Sequence, residues 1–304
     1  MNNSTLPKVC IFGPGVVGYA TGKAFSTKGL EVGFVARNKK RVNQLRREGF
    51  RAFTFDSLGA KNFDYDISFL TISTPTIGGK IDLSAIDSVS KYIGKILKKI
   101  DKYHVVVVKS TVSPGTTETM VAENLMKYSN KKVGRDFGLA MAPEYLRENT
   151  AYEDALKPWL IVIGEYDKRS GELVEGSFKP FNTEIYRCKI IEAEMQKYVH
   201  NLFNAVKITF FNEMRDIARK IGADANHVFE MTTLSCEGMW HAAYGIRDFG
   251  PFSGSCLPKD TLAFLAFAKR HKFRVDLLKK TIEVNNRLIS QNGKKLGKVI
   301  GKQM

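Results

Sequence analysis

The chain has 304 residues, of which 43% are hydrophobic, and its formal net charge at pH 7 is +16. This length and apolar content exclude a wholly disordered chain and predict two domains with ample core. The charge predicts an acidic small-molecule partner, such as a nucleotide or its sugar conjugate, and the scattered lysines and arginines form no basic-aromatic motif, which argues against a nucleic-acid partner.

The apolar residues form no long run, and Met1–Leu6 is too short and too polar for a signal peptide. A soluble, cytoplasmic protein with no membrane partner is therefore expected. The four cysteines are far apart, with no Cys-x-x-Cys pair or Cys/His cluster: Cys10, Cys188, Cys236 and Cys256. This spacing argues against a disulfide framework and against a zinc or other metal site.

The first predicted elements are a short apolar strand, Lys8–Phe12, and a helix that ends near Lys28. The turn between them reads Gly-x-Gly-x-x-Gly, which is the spacing of a dinucleotide-binding fingerprint. Its glycines allow a tight turn and a close approach of the pyrophosphate to the helix N-terminus. The predicted cofactor-binding residues of this turn are Gly13, Gly15, Val16, Val17 and Gly18.

The end of the second predicted strand, Glu31–Ala36, bears on which cofactor binds. NAD sites usually carry an acidic residue there for the ribose 2′-hydroxyl, whereas this chain has Ala36 followed by Arg37. Arg37, with Lys39 or Lys40, would suit a 2′-phosphate. NAD or NADP is therefore expected, with a slight preference for NADP; the alternative is that Arg37 is simply exposed and NAD binds through other contacts.

Further strands are predicted at Ile67–Ile72 and Val105–Lys109, with helices at Lys39–Glu48 and Leu83–Lys99. The apolar strands are typical of a parallel sheet. Open α/β sheets bind ligands at the carboxyl ends of their strands. Three residues at these ends are accordingly expected at the cofactor: Thr74, Pro75 and Thr111.

A strand at Leu139–Ala142 leads into Pro143–Glu148. Glu144 and Glu148 are four residues apart, so on a helix both carboxylates would face the same way. The alternative is a pair of exposed, unpaired glutamates. The last strands of this domain are predicted at Trp159–Gly164 and Glu184–Arg187.

A long helix, Ile191–Ile221, is predicted next, with Lys197 and Asn201 four residues apart on one face. Taken alone, both would be surface polar residues. The rest of the chain is predicted to be helical. The fold class is therefore α/β, with a Rossmann-type parallel sheet in residues 1–188 and an all-α dimerisation and catalytic domain in residues 189–304.

The most informative stretch is Gly254–Asp260, which precedes a helix predicted at Asp260–His271. Cys256 just before a helix N-terminus, with Lys259 nearby, favours the nucleophilic thiolate. If the chain is already helical at Cys256, Asp260 lies on the same face as a base or a group that orients water. The alternative is a buried structural cysteine.

Taken together and in order, these motifs resemble the UDP-glucose/GDP-mannose dehydrogenase family. The resemblance rests on Gly13–Gly18, Ser73-Thr74-Pro75-Thr76, Lys109-Ser110-Thr111-Val112, Pro143–Glu148, Glu192–Lys197, Phe211-Asn212-Glu213 and Gly254–Asp260. The family oxidises the primary alcohol of a nucleotide sugar to a carboxylate, using two nicotinamide cofactors in sequence.

The resemblance implies a role for each matching residue. Cys256 would trap the aldehyde as a thiohemiacetal and then a thioester, and Lys197 with Asn201 would stabilise the oxyanion. Asp260 and Thr111 would position water or take protons, and Glu144 would be the general base. Substrate-binding roles fall to Glu148, Arg247, Lys259 and Gly254, and Glu148 is also expected at the cofactor.

The resemblance also implies a homodimer through the long central helix. The spacing from Arg247 to Cys256 is more like that of the GDP-mannose branch, whereas residues 143–220 look closer to UDP-glucose enzymes, and we therefore expect UDP-glucose as substrate and GDP-mannose as the alternative. The family's C-terminal UDP-binding domain is expected to be absent. Two further readings are a cofactor-binding scaffold that needs a partner chain and a small hydroxyacid dehydrogenase.

Overall fold

The computed structural model describes residues 6–246, 250–254 and 256–300, with the backbone alone for residues 292–300. The chain divides into two compact units, Met1–His200 and Asn201–Met304.

The first unit is built on an eight-stranded sheet with the order β10-β9-β8-β7-β4-β1-β2-β3. Its strands are β1 (Val9–Phe12), β2 (Val32–Ala36), β3 (Arg51–Thr54), β4 (Ile67–Leu70), β7 (Val105–Val108), β8 (Gly138–Met141), β9 (Ile161–Glu165) and β10 (Ile185–Lys189); β5 (Thr76–Ile77) and β6 (Lys80–Ile81) form a separate hairpin. The order of the strands reverses at β1, as in a doubly wound fold.

The sheet is not wholly parallel, which corrects one detail of the sequence-based prediction. Six neighbouring strands of the sheet, β3, β2, β1, β4, β7 and β8, are mutually parallel. Strand β9 runs antiparallel to β8, with Ala140 opposite Glu165 and Met141 opposite Gly164. The segment 142–160 does not return to the end of the sheet where β8 begins. Strand β9 therefore starts at the end where β8 finishes. β10 then pairs parallel to β9.

Both faces of this sheet are buried, which explains the uninterrupted apolar runs of its strands. Along β1, Cys10 and Phe12 pack into one hydrophobic cluster, while Val9 and Ile11 pack into the other. The helices that cover the two faces are α1 (Val16–Thr27), α2 (Lys39–Arg47), α3 (Ser84–Leu97), α4 (Ala122–Ser129), α5 (Ala151–Leu156) and α6 (Lys168–Phe178); a π-helical segment, Thr117–Val121, leads into α4, and short 3₁₀ turns lie at Ala60–Asn62, Glu148–Thr150 and Lys179–Phe181.

The second unit is helical in its described part. Helix α7 (Ile190–Lys220) begins in the first unit and ends in the second, and α8 (Ala225–Ser235), α9 (Glu237–Trp240), α10 (Cys256–Arg270) and α11 (Asp276–Ile300) follow. The small core of this unit is built around Ile217, Ala268 and Val275.

Helix α10 begins at Cys256, four residues before the predicted start at Asp260. Pro258 therefore lies in the first turn, where a missing N–H has no intrahelical acceptor to lose. The loop before this helix is held by the buried amide of Asn285, which accepts the N–H of Phe252 at 2.8 Å and donates to its carbonyl oxygen at 3.0 Å.

Within the described residues, every helix is too short or too polar to cross a lipid bilayer.

Candidate active site

A crevice of about 900 Å³ opens at the carboxyl ends of β1, β2, β4 and β7 in the first unit. The Gly13–Val17 turn lies at one side of this crevice. Its other lining residues come from the ends of the neighbouring strands and from α3, and they include Ala36, Arg37, Asn38, Arg41, Ser73, Thr74, Lys109, Ser110, Thr111 and Glu144. The crevice lies where the order of the strands reverses, the usual place for a ligand in such sheets.

The glycine turn is held in a conformation that side chains would disrupt. Gly13 has φ = +95°, and a Cβ there would lie 2.9 Å from the carbonyl oxygen of Thr71. A Cβ on Gly18 would lie 2.3 Å from the carbonyl oxygen of Gly13 and 2.3 Å from Thr71 Oγ1. Thr71 Oγ1 in turn donates to the carbonyl oxygens of Phe12 and Gly13. Sequence reasoning missed Thr71 because the strand was predicted to run to Ile72, which placed this threonine inside the strand, whereas β4 ends at Leu70.

The turn has the geometry that a dinucleotide pyrophosphate requires. A Cβ on Gly15 would meet no heavy atom within 4 Å, so the backbone is open on the crevice side. Helix α1 starts at Val16, and first-turn N–H groups of a helix have no intrahelical acceptor. Val17 also lines the crevice, and the residues present therefore fit a dinucleotide.

The end of β2 is basic. Arg37 is exposed and lines the crevice, and Asn38 caps α2 by accepting the N–H of Lys40 at 2.8 Å. Arg41 donates from Nε to the carbonyl oxygen of Pro14 at 3.1 Å, with its guanidinium 4.6 Å from the centre of the Tyr19 ring. Arg41 thus ties α2 to the glycine turn, a contact that spacing alone did not reveal.

The ends of β4 and β7 are joined by side-chain hydrogen bonds. Thr74 Oγ1 donates to the carbonyl oxygen of Thr111 at 2.7 Å, and Ser110 Oγ donates to that of Ile72 at 2.6 Å. Thr74 and Thr111 both line the crevice, while the carbonyl oxygen of Pro75 accepts the N–H of Asp82 at the base of the β5–β6 hairpin.

An ion pair between buried Lys197 and partly buried Glu144 lies beside the crevice. Lys197 on α7 is 5% exposed, and its Nζ donates to the carbonyl oxygen of Glu144 at 2.5 Å and lies 3.2 Å from Glu144 Oε1. Glu144 Oε2 accepts the N–H of Leu146 at 2.7 Å. Both carboxylate oxygens therefore have partners, and the ammonium has one further donor position.

The prediction that Glu144 and Glu148 share one face of a helix is wrong. Residues 142–147 have no helical structure, and Glu148 opens a short 3₁₀ turn. Glu144 folds back onto the N–H of Leu146 in the chain that follows Pro143, which replaces a helical turn. Glu148 is exposed and instead lines an adjoining depression, which shares Gly15, Val16 and Arg41 with the crevice.

Two buried groups near the crevice were not assigned roles from the sequence. Lys109, at the end of β7, is 7% exposed, and burial lowers the pKa of its ammonium to about 8. Glu194 on α7 is fully buried, and its carboxylate accepts the N–H groups of Gly115 at 2.5 Å and Thr117 at 2.9 Å. Glu194 thereby anchors α7 to the loop that follows β7.

The second unit holds the remaining predicted site residues. Cys256 is the exposed first residue of α10, and Asp260 lies four residues later in the same helix. Lys259 Nζ pairs with Asp260 Oδ1 at 2.5 Å, with both side chains largely exposed. Gly254 has φ = +84°, a backbone conformation that favours glycine in the loop before the helix.

Asn201 lies one turn after Lys197 in α7, and its side chain is exposed. The predicted substrate-binding residue Arg247 lies outside the described residues. Thr111, Glu144 and Lys197 thus belong to the first unit, and Asn201, Cys256 and Asp260 belong to the second.

Comparison with known proteins gives matches to two family models. Residues 47–182 match the NAD binding domain of the UDP-glucose/GDP-mannose dehydrogenase family, and residues 191–287 match its central domain. GDP-mannose 6-dehydrogenase of Pseudomonas aeruginosa is 35% identical over 84% of this chain and 63% of its own length. UDP-glucose 6-dehydrogenase YwqF of Bacillus subtilis is 33% identical over 97% of this chain and 70% of its own length.

Among solved structures, a GDP-mannose dehydrogenase from Pseudomonas aeruginosa superposes with a TM-score of 0.86 at 32% identity, covering 93% of this chain and 69% of that chain. The chain spans between 45% and 63% of the length of three Pseudomonas GDP-mannose 6-dehydrogenases that it matches.

Proposed function

Since the chain belongs to the UDP-glucose/GDP-mannose dehydrogenase family, we propose that it oxidises the primary alcohol of a nucleotide sugar to a carboxylate in two steps that depend on a nicotinamide dinucleotide. The observation that carries the proposal is the ion pair between buried Lys197 and partly buried Glu144, which lies beside a crevice whose Gly13–Val17 turn fits a dinucleotide.

A bound nicotinamide supplies the hydride acceptor for both oxidations. In this proposal the remaining donor position of Lys197 stabilises negative charge on the sugar oxygen, because a buried ammonium acts most strongly where water is excluded. Glu144 holds that ammonium in place and is the base closest to it in the first unit. Thr111 and Asp260 are proposed to position water or carry protons, and Asn201 to assist Lys197.

Cys256 is proposed to hold the sugar carbon between the two oxidations. Its sulfur adds to the aldehyde carbon to give a thiohemiacetal, and the second oxidation converts this adduct to a thioester. Water then breaks the carbon–sulfur bond, which releases the acid and returns the thiol. The position of Cys256 as the exposed first residue of a 15-residue helix supports this role, since its thiol is accessible to a substrate.

For the cofactor we propose a preference for NADP over NAD. Among the described residues, Glu144 is the one acidic residue that lines the crevice, and the end of β2 presents Ala36, Arg37 and Arg41 instead. Two arginines near that end would suit a 2′-phosphate, whereas no carboxylate is placed there for a ribose hydroxyl. The measurement is the affinity of the parent and of Arg37→Ala for both cofactors; a tenfold loss for NADP alone is expected, and an equal loss for both would contradict the preference.

For the sugar we take GDP-mannose as the first candidate, in place of the UDP-glucose expected from the sequence. The support is the likeness to GDP-mannose dehydrogenases, which reaches 40% identity over 65% of the chain and a TM-score of 0.86. UDP-glucose stays a second candidate because the UDP-glucose 6-dehydrogenase of Bacillus subtilis matches over 97% of the chain.

A homodimer through α7 is also proposed. Large apolar side chains on this helix are more than half exposed, including Leu202 at 59%, Phe203 at 59% and Ile208 at 61%. Such exposure is typical of surfaces that are covered by a partner. Light scattering after size-exclusion chromatography tests this: a dimer mass is expected, and a monomer mass at all concentrations would refute it.

The activity is tested by anaerobic turnover of GDP-mannose and UDP-glucose, each with NAD and with NADP. Reduced cofactor is counted by absorbance, and the sugar product is identified by mass spectrometry. Two reduced cofactors per sugar consumed are expected, with a carboxylate product. One reduced cofactor per sugar would identify a simple alcohol dehydrogenase. Cofactor binding without turnover would refute the proposal that this chain is active by itself and would favour a role that needs a partner chain.

A further inference from the structure

Lys109 is a buried cation that has no assigned role in the proposed reaction. It directly follows β7, and its side chain lies between the crevice and a smaller cavity of about 50 Å³ on the other side. Among the described residues, Lys109 and Glu144 are the two that line both spaces. A lysine is rarely buried without a direct carboxylate partner, which calls for a physical explanation.

The contacts of Lys109 are with the chain that leads to Glu144. Its Nζ lies 3.4 Å from the carbonyl oxygens of both Ala142 and Pro143, and 5.8 Å from the centre of the Phe178 ring. These two carbonyls immediately precede Glu144, whose own carbonyl and carboxylate are held by Lys197. Two buried ammonium groups, one from β7 and one from α7, therefore hold consecutive parts of one short segment.

We propose that Lys109 is a positioning residue for the dehydrogenase reaction: its ammonium fixes the Ala142–Glu144 backbone and thereby holds the Glu144 carboxylate in place beside Lys197. The inference rests on the proposed function for the identity of the reaction. The coupling between Lys109 and Glu144 belongs to the fold and is measurable without turnover.

The charged groups around Lys109 determine how this effect depends on pH. Burial lowers the pKa of Lys109 to about 8, Glu144 raises it, and Lys197 lowers it. Asp154 also lines the smaller cavity, but its carboxylate is bound by Arg147 through Nε and Nη2. Lys109 is therefore protonated below about pH 8 and loses its charge as the pH rises through that value.

The first consequence is an alkaline fall in kcat/KM with a midpoint near pH 8. Lys109→Arg keeps a cation at all these pH values, so the fall is expected to move upward by at least one pH unit. Lys109→Met removes the cation but keeps an unbranched side chain, and kcat is expected to drop about tenfold. Lys168→Met, at a side chain that is 83% exposed on α6, is the matched control and is expected to match the parent.

The second consequence is tested without any substrate. Competitive labelling of amines with acetic anhydride across a pH series, read out by mass spectrometry, gives the titration midpoint of Lys109 in the whole protein. A midpoint near 8 is expected, with a further downward shift in Glu144→Gln, because removing the carboxylate removes its stabilisation of the cation.

A Lys109 midpoint that Glu144→Gln leaves unchanged would overturn the inference, as would a Lys109→Arg profile that superposes on that of the parent. Absence of turnover in the parent would overturn the proposed function, but the labelling experiment would still decide the coupling. If Lys109→Met does not fold, the labelling of the parent and of Glu144→Gln decides the question alone.

Discussion

Gly18→Ala is the most direct test of the glycine turn. The added methyl carbon would lie 2.3 Å from the carbonyl oxygen of Gly13 and 2.3 Å from Thr71 Oγ1. Carbon and oxygen atoms normally approach to about 3.3 Å, so the turn or α1 must move by about 1 Å. The first of these atoms belongs to the backbone, and the second is a hydroxyl oxygen whose hydrogen is donated to the carbonyl oxygens of Gly13 and Phe12. Moving either atom away therefore costs free energy.

The change in the free energy of unfolding has two opposing contributions. Overpacking of this kind destabilises by about 1–3 kcal/mol, whereas alanine in place of glycine in a helix stabilises by up to about 1 kcal/mol. The net loss of about 1–2 kcal/mol corresponds to a fall in Tm of about 2–8 °C for a unit of this size. Because the displaced turn faces the crevice, the affinity for the dinucleotide is expected to fall more than tenfold, about 1.4 kcal/mol or more.

Two other glycines provide matched controls. Gly15 has φ = −73°, and a Cβ there would meet no heavy atom within 4 Å, so Gly15→Ala is expected to leave Tm unchanged. It is still expected to weaken cofactor binding, because the methyl group would enter the crevice. Gly176 lies inside α6 with nothing within 4 Å, so Gly176→Ala is expected to raise stability by about 0.5–1 kcal/mol without affecting binding.

The assay pairs differential scanning calorimetry with titration of NAD and NADP, followed by fluorescence. Of the three variants, only Gly18→Ala is expected to lose both stability and affinity. Equal Tm values for Gly18→Ala and the parent would show that the turn relaxes freely and would refute the steric argument. A normal affinity in Gly15→Ala would show that the pyrophosphate does not approach this turn.

Three further outcomes are expected. Cys256→Ser should abolish acid formation but leave cofactor affinity unchanged, because a serine hydroxyl lacks the acidity of a thiol; acid formation at the parent rate, by mass spectrometry, would rule out the thioester. Glu194→Ala should lower the free energy of unfolding by about 2–4 kcal/mol, since the N–H groups of Gly115 and Thr117 lose their charged acceptor; an unchanged calorimetric Tm would contradict this. Burial lowers the pKa of His104 from 6.5 to about 4, so the unfolded chain binds one more proton between these values, and stability should fall by up to about 3 kcal/mol as the pH drops from 6.5 to 4. Urea midpoints measured across this range should show a smaller slope in His104→Gln, and an unchanged slope would assign the effect to other groups.

Local signals in the sequence were sufficient to predict most of the elements. Apolar runs such as Val105–Val108 and the glycine turn after β1 mark their own structure, because a buried parallel strand and a tight turn each need particular residue types. The family was likewise recognisable from the order of its motifs. Helix α10 shows the limit of this approach: it was predicted to start at Asp260, but it begins four residues earlier, at Cys256.

The sequence did not reveal relations between distant residues. Spacing suggested a helix for Glu144 and Glu148, but the chain after Pro143 is held by Lys197 and by the N–H of Leu146 instead. The direction of β9 was also missed, because strand polarity depends on where the preceding segment returns to the sheet and not on the composition of the strand.

The sequence by itself determined the residue types at each strand end, and with them the class of fold and of cofactor. Only the tertiary structure decided which of those residues are buried against one another. Three side chains show this, because each is hydrogen-bonded to a residue 27 to 79 positions away along the chain: Lys109, Glu194 and Arg41. The physical reason is that burial and electrostatic pairing depend on distance in space, and a chain position encodes only distance along the backbone.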